Sequence, residues 1–350
     1  MQIKYIGKNG DNSYIISGEK TAVVECMKHE NAAYHIKAVE AALDGGEPDY
    51  IILDHVSPDN AGSAEALMQR YGGARIIASA AGIKNLSEML NRDFDYILAK
   101  DDMTLELGGA SLIFKILPNL PWTDSMVAYC PEERALFCGS IFNSDSGYFK
   151  NVISPYRDYA KNAADRLREL DILKIFPAYG GEITDISGVL DEYSEPEERK
   201  LSAAVFYASH YGYTREMAEA VAAEIEGCGM STRLFDVCGT DLAELKDAID
   251  SCTGFAVGTD TVNRNAPEDI WRLITAIDMV NGRGKPCMIF GSCGWSGEGV
   301  YLIERFLKSI GMKLFKKPLL VKFRMSGDER EKLEKLAADF AKELSGSEGE

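Results

Sequence analysis

Residues 54–60 read DHVSPDN, directly after the apolar run YIIL. His55 and Asp59 are residue types that bind metal ions, through an imidazole nitrogen and a carboxylate oxygen. Ser57 and Asn60, at the alternate and adjacent places, are poor ligands. The stretch therefore reads three ways: a metal site, the remains of one, or an ordinary turn. Histidine is scarce, with only 4 in the chain (His29, His35, His55 and His210), and that limits metal chemistry more than any motif can. His29 and His35 lie on or beside the first expected helix and are expected to face solvent. One alternative is a single ion on His55, Asp59 and a stray carboxylate, Asp54 or Asp124. The other is that His55 and Asp59 hydrogen-bond the loop they sit in.

Three further loops carry a different chemistry. ASHYGYT, residues 208–214, offers the hydroxyls of Ser209 and Thr214 and close backbone approach at Gly212, with a helix beginning at once. Backbone N–H groups at a helix start suit a phosphate. Neither G-K-[ST] nor G-x-G-x-x-G is present, which disfavours a nucleoside triphosphate or a dinucleotide. GTDTVNRNAP, residues 258–267, is long, polar and free of strong helix formers until Pro267. GSCGWSGEG, residues 291–299, sets four glycines around Trp295. Such a loop can lay backbone amides along the edge of a planar ring, although an isolated tryptophan reads equally as a partly buried core residue.

The elements around these loops decide between the readings. In the second half, SAAVFYAS, STRLFDV, GFAVGT, KPCMIFGS and PLLVKFRM read as strands. They alternate with the helical segments YTREMAEAVAAEIEG, DLAELKDAIDSC, PEDIWRLITAIDM, GEGVYLIERFLKSIG and DEREKLEKLAADFAKEL. That alternation means an open parallel sheet covered on both faces. With strand order 2-1-3-4-5, the loops after strands one, three and four converge where the order reverses. Those are the three loops just described, and together they favour flavin mononucleotide, FMN.

The first half has another rhythm. NSYIIS and TAVVEC flank GEK as a hairpin. YIILDH, ARIIAS, ASLIFKIL, SMVAYC and ALFCGS are further strands, and ENAAYHIKAVEAALDGG, SAEALMQRYG, IKNLSEMLN and YRDYAKNAADRLREL read as helices. Two groups of strands with helices interspersed suggest a layered α/β sandwich. The charged stretch LDEYSEPEERKLS, residues 190–202, is the best linker. The expected organisation is a first domain over 1–195, a linker over 196–202 and a second domain over 203–350.

Composition narrows the classes. The net charge of −17 repels nucleic acid and anionic membrane surfaces. No apolar run reaches the roughly 18 residues that span a bilayer, and the start lacks a signal-peptide pattern. The expectation is a cytoplasmic protein with no membrane and no nucleic-acid partner. The 8 cysteines form no C-x-x-C pair and read mostly as buried small hydrophobes.

Residues 203–345 resemble a flavodoxin domain: SHYGYT is similar to its phosphate loop, and GTDTVN and GSCGWSG to its two ring-flanking loops. The resemblance implies that Ser209, His210, Tyr211, Gly212, Tyr213 and Thr214 hold the phosphate. It further implies that Thr259, Asp260, Thr261, Val262 and Asn263, with Ser292, Cys293, Gly294 and Trp295, hold the isoalloxazine ring. Tyr213 replaces a small polar residue, and Asp260 sits where proline is common. If Asp260 faces the ring, its carboxylate disfavours the anionic reduced flavin and lowers the reduction potential.

A flavodoxin domain behind an αββα-like domain carrying DHVSPDNAGS resembles the flavodiiron proteins over nearly the whole chain. NSYIISGEKTAVVE, LPNLPWTDSM, ALFCGS and IFPAYGGEI match, in order and spacing, the segments of that family's metallo-β-lactamase-like domain. The fold implied is that αββα sandwich followed by a flavodoxin-like five-stranded parallel sheet. The family reduces dioxygen or nitric oxide at two irons. Its seven ligand positions fall on His55, Ser57, Asp59, Asn60, Pro121, Ser140 and Tyr179, of which only His55 and Asp59 keep a ligand type. The resemblance thus implies a vestigial site with no iron or zinc.

The expected function is that of an FMN-binding electron-transfer flavoprotein fed by a redox protein or a reduced nicotinamide. In the family two chains pair head to tail, so a homodimer is implied, with Trp122, Tyr179 and Ser140 opposite the partner's flavin. Alternatives are a reductase that binds a small substrate in the emptied cavity, and a non-catalytic flavin-binding dimeric subunit. Hydrolysis needs a metal-activated water, whose ligands are missing.

Overall fold

The computed structural model describes residues 2–194 and 201–346, which fall into two units, Met1–Pro196 and Glu197–Glu350. In the first unit β1 (Gln2–Lys8), β2 (Asp11–Ser17), β3 (Thr21–Val24), β4 (Tyr50–Ile52), β5 (Arg75–Ala78) and β6 (Tyr96–Leu98) lie in chain order across one sheet. β1 to β3 are antiparallel, with β2 and β3 forming the expected hairpin, and β3 to β6 are parallel. Parallel neighbours need crossovers. α1 (Ala32–Leu43), α2 (Pro58–Ala61), α3 (Ala64–Arg70) and α4 (Ala80–Leu90) fall within them. A second sheet holds β7 (Thr104–Glu106), β8 (Ser111–Ile116), β9 (Met126–Cys130), β10 (Ala135–Gly139) and β11 (Lys174–Pro177). α5 (Arg157–Leu167) and α6 (Ile186–Ser194) complete the unit.

Strand alternation explains the layering, because successive side chains point to opposite faces. Tyr14, Ile16, Val24 and Ile52 pack between the sheets against Phe114, Ala128 and Phe137. Their neighbours Ile15, Val23 and Ile51 turn outward onto Val39 of α1, Leu67 of α3 and Leu86 of α4. On the other side Val127, Tyr129 and Leu136 pack against Ala160, Ala163 and Leu167 of α5. The result is the αββα sandwich that the sequence suggests.

Helix α1 carries a correction. His29 is exposed, but His35, expected at the surface, is completely buried. Ala32, His35 and Val39 share the inward face of the helix, the spacing that a 3.6-residue period brings together. Both ring nitrogens are satisfied, Nδ1 at 2.8 Å from Ser63 Oγ and Nε2 at 3.0 Å from Ser13 Oγ. Small hydroxyls on β2 and before α3 make the buried imidazole tolerable. The cysteines also divide: Cys26, Cys130, Cys138, Cys252 and Cys287 are buried, Cys293 is half-buried, and Cys228 and Cys238 are exposed.

The expected linker begins inside α6, which runs to Ser194, and its residues 195–200 lie outside the described residues. Beyond it the second unit contains β12 (Ser202–Tyr207), α7 (Tyr213–Gly227), β13 (Ser231–Asp236), α8 (Leu242–Ser251), β14 (Gly254–Asp260) and α9 (Glu268–Thr275). α10 (Met279–Gly282), β15 (Pro286–Cys293), α11 (Glu298–Ser309), β16 (Lys313–Leu314), β17 (Leu319–Lys322) and α12 (Gly327–Leu344) follow. The parallel order β13-β12-β14-β15 places the reversal between β12 and β14. Leu245, Ile270 and Ile303 cover one face of the sheet; Met217, Val221 and Phe340 cover the other.

The fifth position differs from expectation. It is shared by β16, beside Pro286 and Cys287, and β17, beside Phe290–Cys293. Lys316 adopts a φ of 53° and Pro318 has no N–H to donate, so a single ladder cannot run through KKP. Among the described residues no helix is long and apolar enough to cross a membrane.

Burial lowers the pKa of His35 to about 4, because the charged ring would lose its hydration. Unfolding raises it again, so the unfolded chain binds more protons between about pH 4 and 6.5. His35 therefore contributes stability that is complete above that window and lost as the pH falls through it. The stability advantage of wild type over His35→Gln should shrink from pH 6.5 to pH 4 in urea unfolding. A constant difference would remove His35 as the source.

Candidate functional sites

In the first unit the chain leaves the C-terminal ends of β3, β4 and β10 around one point. Glu25, just after β3, has a left-handed φ of 65° and is buried. Its Oε1 accepts the backbone N–H of Asp54 at 2.8 Å, and its Oε2 accepts from Asn60 Nδ2. Asn60 Oδ1 accepts in turn from the hydroxyl of Tyr179. The strip that carries Tyr179 is anchored to β2, where Asn12 Nδ2 donates to the carbonyls of Pro177 at 2.9 Å and Gly180 at 2.8 Å. Gly139, at a φ of 56°, closes the floor. A Cβ there would stand 2.9 Å from Asp54 Cβ, 3.3 Å from His55 Nδ1 and 3.6 Å from Glu25 Oε1.

Each position carried over from the family has a definite place here. His55 is buried, stacks on Trp122 with centroids 5.7 Å apart, and lies 3.4 Å from Ser57 Oγ through Nε2. Ser57 caps α2 by accepting the Asn60 N–H at 3.2 Å. Asp59 is exposed, so it does not share the loop-holding role expected of it with His55. Asp124 takes that role, accepting the Val56 N–H at 2.8 Å through Oδ2. Pro121 follows a cis peptide bond and is half-buried, and Ser140 is buried with its hydroxyl unpartnered. Among the described residues no group of three or more His, Cys, Asp or Glu could hold a metal ion.

Glu25 was not singled out from the sequence. The only signal was an acid ending the apolar run TAVVEC. Burial pushes its pKa up to about 7. Burial, and then the charge of Glu25, push Asp54 well above the carboxylate range. Burial also lowers the pKa of His55 to about 3.

In the second unit the three loops meet at a cavity of about 360 Å³. It is lined by Ser209, Tyr211, Tyr213, Asp260, Thr261, Val262, Ser292, Cys293, Gly294 and Phe323. Gly212 takes a φ of 86°, open to glycine, and N-caps α7, whose first helical residue is Tyr213. Thr214, fully buried, bonds Ser292 Oγ at 2.8 Å and ties the first loop to the third. Thr259 is buried and donates to the carbonyl of Asp260 at 2.9 Å. Val262 and Asn265 exchange backbone bonds around Asn263 and Arg264, both at positive φ, which makes the middle of the second loop a tight turn. Trp295 is 95% exposed and Tyr211 83%, so neither is a core residue.

Three polar atoms in this cavity's lining are buried without partners: Ser209 Oγ, Thr261 Oγ1 and Asp260 Oδ1. Groups of that kind are costly unless something else meets them. Asp260 Oδ2 accepts both the backbone N–H and the Nδ1 of His210 at 2.9 Å, which leaves Oδ1 as its free carboxylate oxygen in the cavity lining. Phe323 was missed in the sequence. It sits at a φ of 59° directly after β17, donates its N–H to the Cys293 carbonyl at 2.9 Å, and lies edge-on to Tyr213.

Two measurements test the first cluster. A carboxyl whose pKa is raised on folding stabilises below its unfolded value and loses that contribution as the pH rises through the folded one. Glu25→Gln should therefore gain stability relative to wild type between about pH 5 and 8, whatever its offset at pH 5. Asn60→Asp replaces the donor facing Glu25 with an acceptor and should lose at least about 2 kcal/mol at pH 8. Urea unfolding at both pH values reads each effect, and an Asn60→Asp variant as stable as wild type would dismiss the network.

Comparison with known proteins agrees with both units. Residues 6–179 match the metallo-beta-lactamase superfamily and residues 205–341 match flavodoxin. A flavo-diiron protein of Clostridium acetobutylicum, FprA2, is 30% identical, covering 95% of this chain and 91% of that protein. A type A flavoprotein of Rhodobacter capsulatus is 31% identical over 96% of this chain and 84% of its own length. The solved rubredoxin oxygen:oxidoreductase of Desulfovibrio gigas shares the fold, with a TM-score of 0.73 at 24% identity over 96% of this chain and 91% of that one. With two domains in the same order and relatives matched from end to end, the chain belongs to the flavo-diiron, or type A, flavoprotein family.

Proposed function

We propose that this chain is an electron-transfer flavoprotein that binds FMN in its second unit and holds no iron in its first. The observation that carries the flavin half is the set of unpartnered, buried hydroxyls, Ser209 Oγ and Thr261 Oγ1, in the lining of one cavity at the C-terminal ends of β12 and β14. These atoms fit the group. Ser209 and the amides of residues 211–214 form the phosphate end, at the start of a 15-residue helix, with Thr214 tying it to Ser292 and Asp260 bonded to the His210 amide beside it. Thr259, Thr261, Val262 and Asn263, with Ser292, Cys293, Gly294 and Trp295, form the ring end. Bound FMN would supply one- or two-electron chemistry. The chain's part is to fix the ring and leave one edge reachable, a task that exposed Trp295 and Tyr211 suit.

The metal half rests on the Tyr179–Asn60–Glu25 chain of hydrogen bonds. Two of the carried-over positions spend their polar atoms on each other and on a carboxylate, rather than pointing lone pairs at a cation. Iron sites need imidazole and carboxylate ligands held by further hydrogen bonds. Here His55 stacks on Trp122 and Asn60 and Tyr179 bond each other. Reduction of dioxygen or nitric oxide at iron is therefore not part of this reading. The electron donor is a redox protein or a reduced nicotinamide, and the working unit a head-to-tail homodimer.

Purified protein should show a flavin absorption spectrum with one FMN per chain, released on denaturation. Elemental analysis should find iron, zinc and manganese far below one equivalent. Stoichiometric iron would overturn the metal half, and failure to bind added FMN would overturn the flavin half.

A further inference from the structure

A phosphate loop works because its N–H groups converge on empty space that an anion fills. Here one of those N–H groups is already taken by an anion of the protein itself. Asp260 is 8% exposed at the end of β14, and its Oδ2 receives both the backbone N–H and the Nδ1 of His210 at 2.9 Å. Its Oδ1 is buried, unpartnered and part of the cavity lining. No lysine or arginine lines that cavity to offset the charge. The cation of the pair, when protonated, is the half-exposed imidazole of His210.

We infer that Asp260 is a specificity-determining residue that weakens the hold of this loop on a phosphomonoester, and so narrows the preference for FMN over riboflavin. The inference rests on the FMN reading above. An FMN phosphate brings nearly two negative charges to the loop. It must either share the His210 amide with the carboxylate or displace it, and in both cases two like charges meet, the buried Asp260 carboxylate and a phosphate on a loop whose residues 210–212 are exposed. Riboflavin carries the same ring without the phosphate and meets no such opposition. The first turn of α7 and the unpartnered hydroxyl of Ser209 still attract the phosphate, so Asp260 reduces the preference rather than reversing it.

Asp260→Asn isolates the charge, because its amide oxygen can still accept from His210. Asp260→Ser is the second variant, in case the first does not fold. Affinities of the apoprotein for FMN and riboflavin come from quenching of flavin fluorescence, with inorganic phosphate as competitor. Removing the charge should tighten FMN by at least about threefold and riboflavin by less than about twofold, as expected where a like charge is removed from a partly desolvated contact. Inorganic phosphate should compete better with FMN in the variants. Equal FMN affinity in wild type and variant, weaker binding in the variant, or a parallel gain for riboflavin would overturn the inference and leave the FMN reading standing. Absence of binding by every form to either flavin would overturn both.

Discussion

A carboxylate taken out of water needs a cation, a proton or several hydrogen-bond donors, and the arrangement of both sites follows from how that need is met. At the end of β3, Glu25 has the Asp54 amide and the Asn60 side chain, and burial raises its pKa to about 7. At the end of β14, Asp260 has one amide and one imidazole, both from His210. In each case the acid ends a parallel strand, where an α/β sheet ordinarily presents its chemistry. Hydrogen bonds within the chain meet part of each need, and Asp54 Oδ1 and Oδ2 in the first site and Asp260 Oδ1 in the second are buried without partners.

These hydrogen bonds change what each neighbour can do. Tyr179 is a donor to Asn60, and burial pushes its phenol further up, away from ionisation. Asn60 is thereby oriented, because one side-chain atom faces a donor and the other an acceptor. Ser57, in turn, spends its oxygen on the Asn60 amide as the cap of α2. This loop is held by a relay of single hydrogen bonds running from the half-exposed Tyr179 to the buried Glu25.

Much of this was legible in the sequence, and the limits are physical. The strand–helix alternation after residue 202 and the hairpin around Gly18 follow from local periodicity and turn chemistry, which act over a few residues. The three flavin loops were legible because topology puts the ends of β12, β14 and β15 together. His35 was not, because its place depends on two serines, Ser13 and Ser63, that come near only in the folded unit. Glu25 hid for the same reason: a lone acid at a strand end looks like a polar stop until Asp54 and Asn60 close on it. Phe323 and the split of the last strand position turn on backbone conformations at residues 316 and 323 that no pattern of apolar residues encodes.

Asn60 and Tyr179 act as one unit with Glu25. Asn60→Leu would take from Glu25 the donor on Oε2 and from Tyr179 its acceptor. Tyr179→Phe would leave Asn60 Oδ1 without its donor. Neighbours that share hydrogen bonds couple energetically, so their substitutions do not add. The hydrogen bonds of Glu25, Asn60 and Tyr179 fix one another in the first site, while Asp54 Oδ1 and Oδ2, Asp124 Oδ1 and Ser140 Oγ beside them have no partner.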